Sequence, residues 1–419
     1  MSILRIKGGR ALSGSIRAHG SKNAILPMMA ASILYPGITV LHGVPEILDV
    51  FYMIEILEQL GCKVKWQDSS LVIDASAIES VSLSSCMTGK MRSSVFLLGP
   101  LLARCGEAKL GQPGGCSIGS RPVDIHVAGL QQMGAELTEE NGWLRASASC
   151  LHGNVIRLPF PSVGATENLI MAAVLAEGET ILHHAAREPE IGDLCRMLQG
   201  MGARIKGIGS STLEITGVDR LRESAYTVMG DRIEASTYLI AAAASGGELM
   251  VENVLPGQLT GVLTALSICG CDVMHNQRAV YLRRKDRLRP VPYLRTAPFP
   301  GFPTDVQSQM MALLSCADGE SIIHETIFEG RFQTALELRK MGADICMEGN
   351  KAVIQGVQRL TGTKVCARDL RGGAALVIAG LTAEGITEIC HCTYIQRGYA
   401  ALAQHLVDLG ADIEMVEIH

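Results

Sequence analysis

A short phrase that recurs six times constrains this chain more than any other feature. It reads Leu60-Gly61-Cys62-Lys63-Val64, Met133-Gly134-Ala135-Glu136-Leu137, Met201-Gly202-Ala203-Arg204-Ile205, Cys269-Gly270-Cys271-Asp272-Val273, Met341-Gly342-Ala343-Asp344-Ile345 and Leu409-Gly410-Ala411-Asp412-Ile413. The period, about 70 residues, is longer than most solenoid units, so each copy reads as a compact βα module. A second glycine marks every copy: Gly37, Gly106, Gly178, Gly247, Gly319 and Gly385. It follows an Ala/Leu/Met-rich run of helical length and precedes a strand-like run such as Thr180-Ile181-Leu182. Glycine just past a helix end suits the left-handed cap.

Each unit therefore reads helix, strand, helix, strand, strand. The first helix of each copy is apolar on all sides, which predicts helices inside and sheets outside. A chain of 419 residues exceeds one hydrophobic core. Six units divide into two domains of three, and a cleft between domains is a preferred place for ligands.

The start of each inner helix carries an unusual charge pattern. Roughly 14 residues before each cap glycine stand Lys22, Arg92, Gly164, Arg232, Asp305 and Arg371. A cation at a helix N-terminus opposes the macrodipole by roughly 0.3–1 kcal/mol. A single such charge is ordinarily solvated or ion-paired. Four at equivalent positions predict an anion bound among them, since helix amides and Lys/Arg donors together suit phosphate and carboxylate. Asp305 is the carboxylate of the set and a candidate general base.

The second copy departs from the others. Gly111-Gln112-Pro113-Gly114-Gly115-Cys116-Ser117-Ile118-Gly119 holds four glycines and a proline and reads as a loop. Glycine amides and nearby Arg121 favour the Cys116 thiolate, so this cysteine is expected to be reactive on a lid over substrate.

At these residues the chain resembles the enolpyruvyl transferases over essentially its whole length. The resemblance rests on Gly20-Ser21-Lys22-Asn23-Ala24, the Pro-Gly-Gly-Cys loop ending in Arg121-Pro122-Val123-Asp124, Ala186-Arg187-Glu188-Pro189-Glu190 and Pro303-Thr304-Asp305. Phe328-Glu329-Gly330-Arg331-Phe332, Asp369-Leu370-Arg371 and Arg397-Gly398-Tyr399 complete it. The cysteine loop points to the branch whose acceptor is UDP-N-acetylglucosamine rather than a shikimate. The resemblance implies two inside-out α/β barrel domains, 22–229 and 1–21 with 230–419.

It also implies transfer of the enolpyruvyl group of phosphoenolpyruvate to the sugar 3-hydroxyl, the first committed step of peptidoglycan synthesis. Cys116 would be the acid and Asp305 the base. Lys22, Arg121 and Arg397 would hold phosphate and carboxylate, with Arg331 and Arg371 in support. Asn23, Arg92, Arg121, Pro122, Val123, Asp124, Ile125, Ser162, Val163, Gly164 and Ile327 would complete the substrate contacts. Leu48, Phe96, Phe160, Gly330 and Gln396 depart from the family pattern. Leu48 and Gln396 leave open a non-catalytic paralogue that binds a nucleotide sugar.

Composition sets the remaining expectations. A net charge of -5 argues against a general nucleic-acid binder. The 13 cysteines show no disulfide framework and read as reduced thiols. Cys390-His391-Cys392 reads as a strand whose side chains alternate, so no metal site is expected there. The apolar stretches are too short to span a bilayer, and Met1 to Ile6 lacks a signal-peptide core. A cytoplasmic enzyme with no cofactor, metal or obligatory protein partner is the expectation.

Overall fold

The computed structural model describes residues 2–114 and 123–417. Among these, residues 20–114 with 123–229 form one compact unit, and residues 2–19 with 230–417 form the other. Each unit carries three four-stranded sheets packed over three buried helices. The fold is α/β, with helices inside and sheets outside in each unit.

The inner helices are mostly apolar or small, with buried polar residues such as Glu167, Asn168, Glu234 and Gln309 among them. In Arg232–Ser245 every residue from 232 to 244 is buried, and in Leu370–Thr382 every residue from 370 to 381. Their alanines and glycines let helices approach closely without a polar face to solvate. Arg232–Ser245, Gln307–Leu314 and Leu370–Thr382 pack against one another. In the other unit, Lys22–Ala31, Leu98–Cys105 and Val163–Ala173 form the interior.

The strand after each inner helix alternates buried and open residues. In Glu248–Glu252 the buried pair is Leu249 and Val251, and in Ile386–Cys390 it is Thr387 and Ile389. Such alternation lays one sheet face on the helices and leaves the other to solvent.

All six glycines of the recurring phrase have positive φ, from 89° at Gly342 to 103° at Gly410. A β-carbon is disfavoured there, which explains why the phrase keeps its glycine. The second glycine set is less uniform. Gly106, Gly178, Gly319 and Gly385 are left-handed, but Gly37 and Gly247 are not, and Gly246 takes the cap of its helix instead. Gly247 is constrained by crowding: a β-carbon there would lie 1.9 Å from the Leu12 carbonyl oxygen.

One strand per sheet is absent from the expected helix-strand-helix-strand-strand order. A short strand precedes each inner helix; in four copies it pairs parallel to the strand that follows that helix, as Val155–Arg157 does with Glu179–His183, whereas Ser224–Thr227 pairs with Ile38–His42 and Ser13–Arg17 with Glu248–Glu252. These strands have two to five residues, too few to show periodicity. The N-terminal segment supplies two strands to the second unit. Ser13–Arg17 lies parallel to Glu248–Glu252, and Ser2–Lys7 is central, antiparallel to both Ile386–Cys390 and Asp412–Glu417.

Candidate active site

The charged residues singled out in the sequence do stand at inner-helix starts. Lys22 opens Lys22–Ala31, Arg92 opens a 3-10 turn Arg92–Leu97, and Arg232 opens Arg232–Ser245. Gly164 and Arg371 are second in their helices, and Asp305 lies in the 3-10 turn Thr304–Val306. Carboxylates offset part of the charge. Lys22 Nζ is 2.9 Å from Asp49 Oδ2, and Asp49 is buried. Asp231 and Asp369 cap their helices by accepting from the amides of Ile233 and Glu234, and of Arg371 and Gly372. Cations at these ends therefore do not by themselves require a bound anion.

Asp305 lies between two guanidiniums. Arg331 Nη2 donates to its Oδ1 at 2.7 Å and Arg371 Nη2 to its Oδ2 at 3.1 Å. Both arginine side chains are 3% exposed, while that of Asp305 is 27% exposed. Among the described residues, Arg331 Nε and Arg371 Nε and Nη1 are buried without a hydrogen-bond partner. Two buried guanidiniums against one carboxylate leave the cluster net positive, the charge that suits an anion. Arg371 also lies over the Tyr399 ring, 5.4 Å from its centroid. Burial alone lowers the Arg371 pKa, but Tyr399, Asp305 and Asp231 outweigh it and the net direction is upward.

A buried polar network supports this cluster. Gln309 Nε2 donates to the Asp305 carbonyl at 2.9 Å and to the Thr237 and Tyr399 hydroxyls at 3.2 and 3.3 Å. Glu325 fixes the neighbouring turn: its carboxylate accepts from the Thr296 and Thr304 hydroxyls and from the Ile327 and Phe328 amides. Ile327 is thereby placed by a residue that the sequence did not mark. Arg397 ends the short helix Thr393–Gln396, and its amide donates to the Tyr394 carbonyl at 3.3 Å.

In the other unit a second group forms around Gly164. A β-carbon there would meet the rings of His126 and Phe96 at 3.2 and 3.3 Å. Ser162 caps this helix, its hydroxyl accepting from the Ala165 amide at 3.4 Å. Val163 opens the helix, Val123 caps Asp124–Gln132, and Asp124 and Ile125 lie in that helix's first turn. Asn168 ties three elements together. Its Nδ2 donates to the Val95 carbonyl and to His126 Nδ1, both at 2.8 Å, and its Oδ1 accepts from the Gly99 amide at 2.8 Å. Asn23 follows Lys22 in the first turn of its helix.

Glu167, on the same helix as Gly164, is wholly buried, and among the described residues neither of its oxygens has a hydrogen-bond partner. Burial, and then Glu190 and Glu188, push its carboxyl well above the usual range. The unfolded chain gives up this proton near pH 4.3 while the folded chain keeps it, so stability falls as pH rises above that value. Glu167→Gln should remove this slope and gain on the parent as pH climbs towards neutrality. Urea midpoints at pH 5 and 8 check it; parallel shifts in both proteins would count against a buried proton.

Cys116, Arg121 and Pro122 lie outside the described residues. The root of their loop is described. The Gly114 amide donates to the Thr88 carbonyl at 2.9 Å, and the Thr88 hydroxyl donates to the Gln112 carbonyl at 3.1 Å. A β-carbon on Gly114 would lie 1.8 Å from the Gly89 carbonyl oxygen, so nothing larger than glycine fits. Gly114→Ala should lower kcat/KM about 100-fold by displacing the segment that leads to Cys116, and should also lower the urea midpoint because backbone must yield to the added methyl.

Residues 6–406 match the family described as EPSP synthase (3-phosphoshikimate 1-carboxyvinyltransferase). The chain belongs to the enolpyruvyl transferase family. This enolpyruvyl transferase is 47% identical over 413 residues to UDP-N-acetylglucosamine 1-carboxyvinyltransferase 2 of Caldanaerobacter subterraneus, covering 99% of both chains. It is 44% identical to UDP-N-acetylglucosamine 1-carboxyvinyltransferase of Geobacter metallireducens over the full length of both. Among solved structures, the enolpyruvyl transferase NikO from Streptomyces tendae superposes with a TM-score of 0.88 at 26% identity, over 99% of this chain and 98% of that one. EPSP synthase from Acinetobacter baumannii, at 20% identity and a TM-score of 0.78 over the full length of both chains, shares the fold. No helix among the described residues is long and apolar enough to cross a membrane.

Proposed function

We propose that this enzyme transfers the enolpyruvyl group of phosphoenolpyruvate to the 3-hydroxyl of UDP-N-acetylglucosamine and releases phosphate, in the cytoplasm, opening peptidoglycan synthesis. The observation that carries the reading is Asp305 between two buried guanidiniums that keep unpartnered donors. The names of the relatives support the choice of acceptor.

The reaction is an addition followed by an elimination. The sugar oxygen bonds to C2 of phosphoenolpyruvate, C3 takes a proton from Cys116, and the hydroxyl proton passes to Asp305. In the elimination a proton leaves C3 for the Cys116 thiolate as the C2–O bond breaks and phosphate departs, which restores the thiol. A positioned acid and base typically contribute 10²–10⁴-fold each. Lys22, Arg121 and Arg397, with Arg331 and Arg371, neutralise phosphate and carboxylate and favour the anionic intermediate. Each oxygen of Asp305 accepts from one arginine, and the two positive charges make the carboxylate a weaker base, so taking the hydroxyl proton works against that pairing. Asn23, Arg92, Pro122, Val123, Asp124, Ile125, Ser162, Val163, Gly164 and Ile327 bind the sugar nucleotide in this reading. His126 and Asn168 position Gly164.

The deciding measurement is phosphate release from phosphoenolpyruvate with and without UDP-N-acetylglucosamine. Release should require the sugar nucleotide. Release independent of it, or none in its presence, rejects the assignment.

A further inference from the structure

We infer that His19, Glu234 and His405 form a binding site for a zinc-class divalent cation, separate from the groups assigned to the transfer reaction. Each residue offers one ligand atom, and these atoms lie within 4.8 Å of one another. His19 Nδ1 is 2.9 Å from Glu234 Oε1, and the His19 amide donates to Glu234 Oε2 at 2.8 Å. The His405 ring stacks on that of His19, with centroids 5.0 Å apart.

Two imidazoles and a carboxylate are a donor set that zinc takes in open sites, with the fourth position left to water. The Tyr238 hydroxyl lies 2.9 Å from His405 Nδ1. Holding one ring nitrogen in this way fixes the orientation of the other, as partners of metal-bound histidines do.

Charge points the same way. The Glu234 side chain is 3% exposed, and a carboxylate buried to that degree calls for a cation. His19 supplies one only when protonated. A divalent ion would supply it at neutral pH, reached through the His19 side, where the ring is 34% exposed. Zinc–nitrogen bonds of about 2.0–2.1 Å require ligand atoms closer than they now stand, so the two partly exposed rings must draw inward. The ion would join three segments distant in sequence: the N-terminal strand region, the first turn of Arg232–Ser245, and the helix Leu402–Asp408.

The test is calorimetric titration of the metal-free full-length protein with Zn²⁺, with Co²⁺ absorption as the spectroscopic reading and thermal melts alongside. The expected result is a site saturating at one ion per chain, with a rise in Tm on Zn²⁺ addition. His405→Gln, a partly exposed position whose fold is checked by its metal-free melt, should weaken binding by more than about 100-fold, and Tyr238→Phe by about tenfold. Cys150, His152 and Glu177 form a second cluster of possible ligands, so Cys150→Ser is the control and should leave the site intact. No saturable binding, or binding that survives His405→Gln and is lost in Cys150→Ser, overturns the assignment.

Discussion

Asp305→Ala is expected to lose about 3 kcal/mol of folding stability together with most of its turnover. The stability loss follows from leaving Arg331 and Arg371 facing each other without the carboxylate they share. Removing one partner of a buried ion pair costs roughly 3–5 kcal/mol, and the partial exposure of Asp305 places this case at the lower end. Phosphate or phosphoenolpyruvate should recover part of that loss, because an anion can replace the missing charge. Asp305→Asn keeps the shape and loses the base, so it should retain more stability while its rate falls by about 10²–10⁴. Urea unfolding with and without phosphate, beside steady-state rates, separates the two effects. A parent-like midpoint for Asp305→Ala would show that the two arginines do not depend on this carboxylate.

Cys116→Ala is expected to lower kcat by about 10²–10⁴, the usual contribution of a positioned acid. Cys116→Asp should retain part of the rate, because a carboxyl group can still donate a proton to C3. The parent thiol should be alkylated by a small phosphonate epoxide such as fosfomycin, an adduct that intact-mass measurement would place on residue 116. Near-normal rates for both variants would remove Cys116 from the mechanism. An unmodified thiol would argue against an activated one.

Much of the fold is written in local chemistry. Six glycines held at positive φ keep the same phrase in every copy, and backbone sterics make that requirement independent of distant contacts. Inner helices without a polar face announce their burial, because water does not accept them and they are too short to span a bilayer. The short strands before each inner helix escaped notice because two to five residues carry no period, and their pairing partners lie beyond the next helix or further away.

The candidate site divides in the same way. Asp305, Arg331 and Arg371 were legible as residue types at repeated or motif positions, but their shared ion pair was not. Glu325, Gln309, Tyr399 and Asn168 reach Thr296, Thr237, Arg371 and His126, all distant in sequence, so spacing could not assign their roles. The trio His19, Glu234 and His405 is the extreme case, joined only by folding.

The sequence by itself determined the repeat, the inside-out layering and the side chains available for chemistry, because these depend on backbone sterics and on which faces can leave water. Tertiary structure alone decided which charges meet, which buried donors stay unpartnered and which imidazoles stack. Those outcomes depend on distances between segments tens to hundreds of residues apart, and no local pattern encodes them.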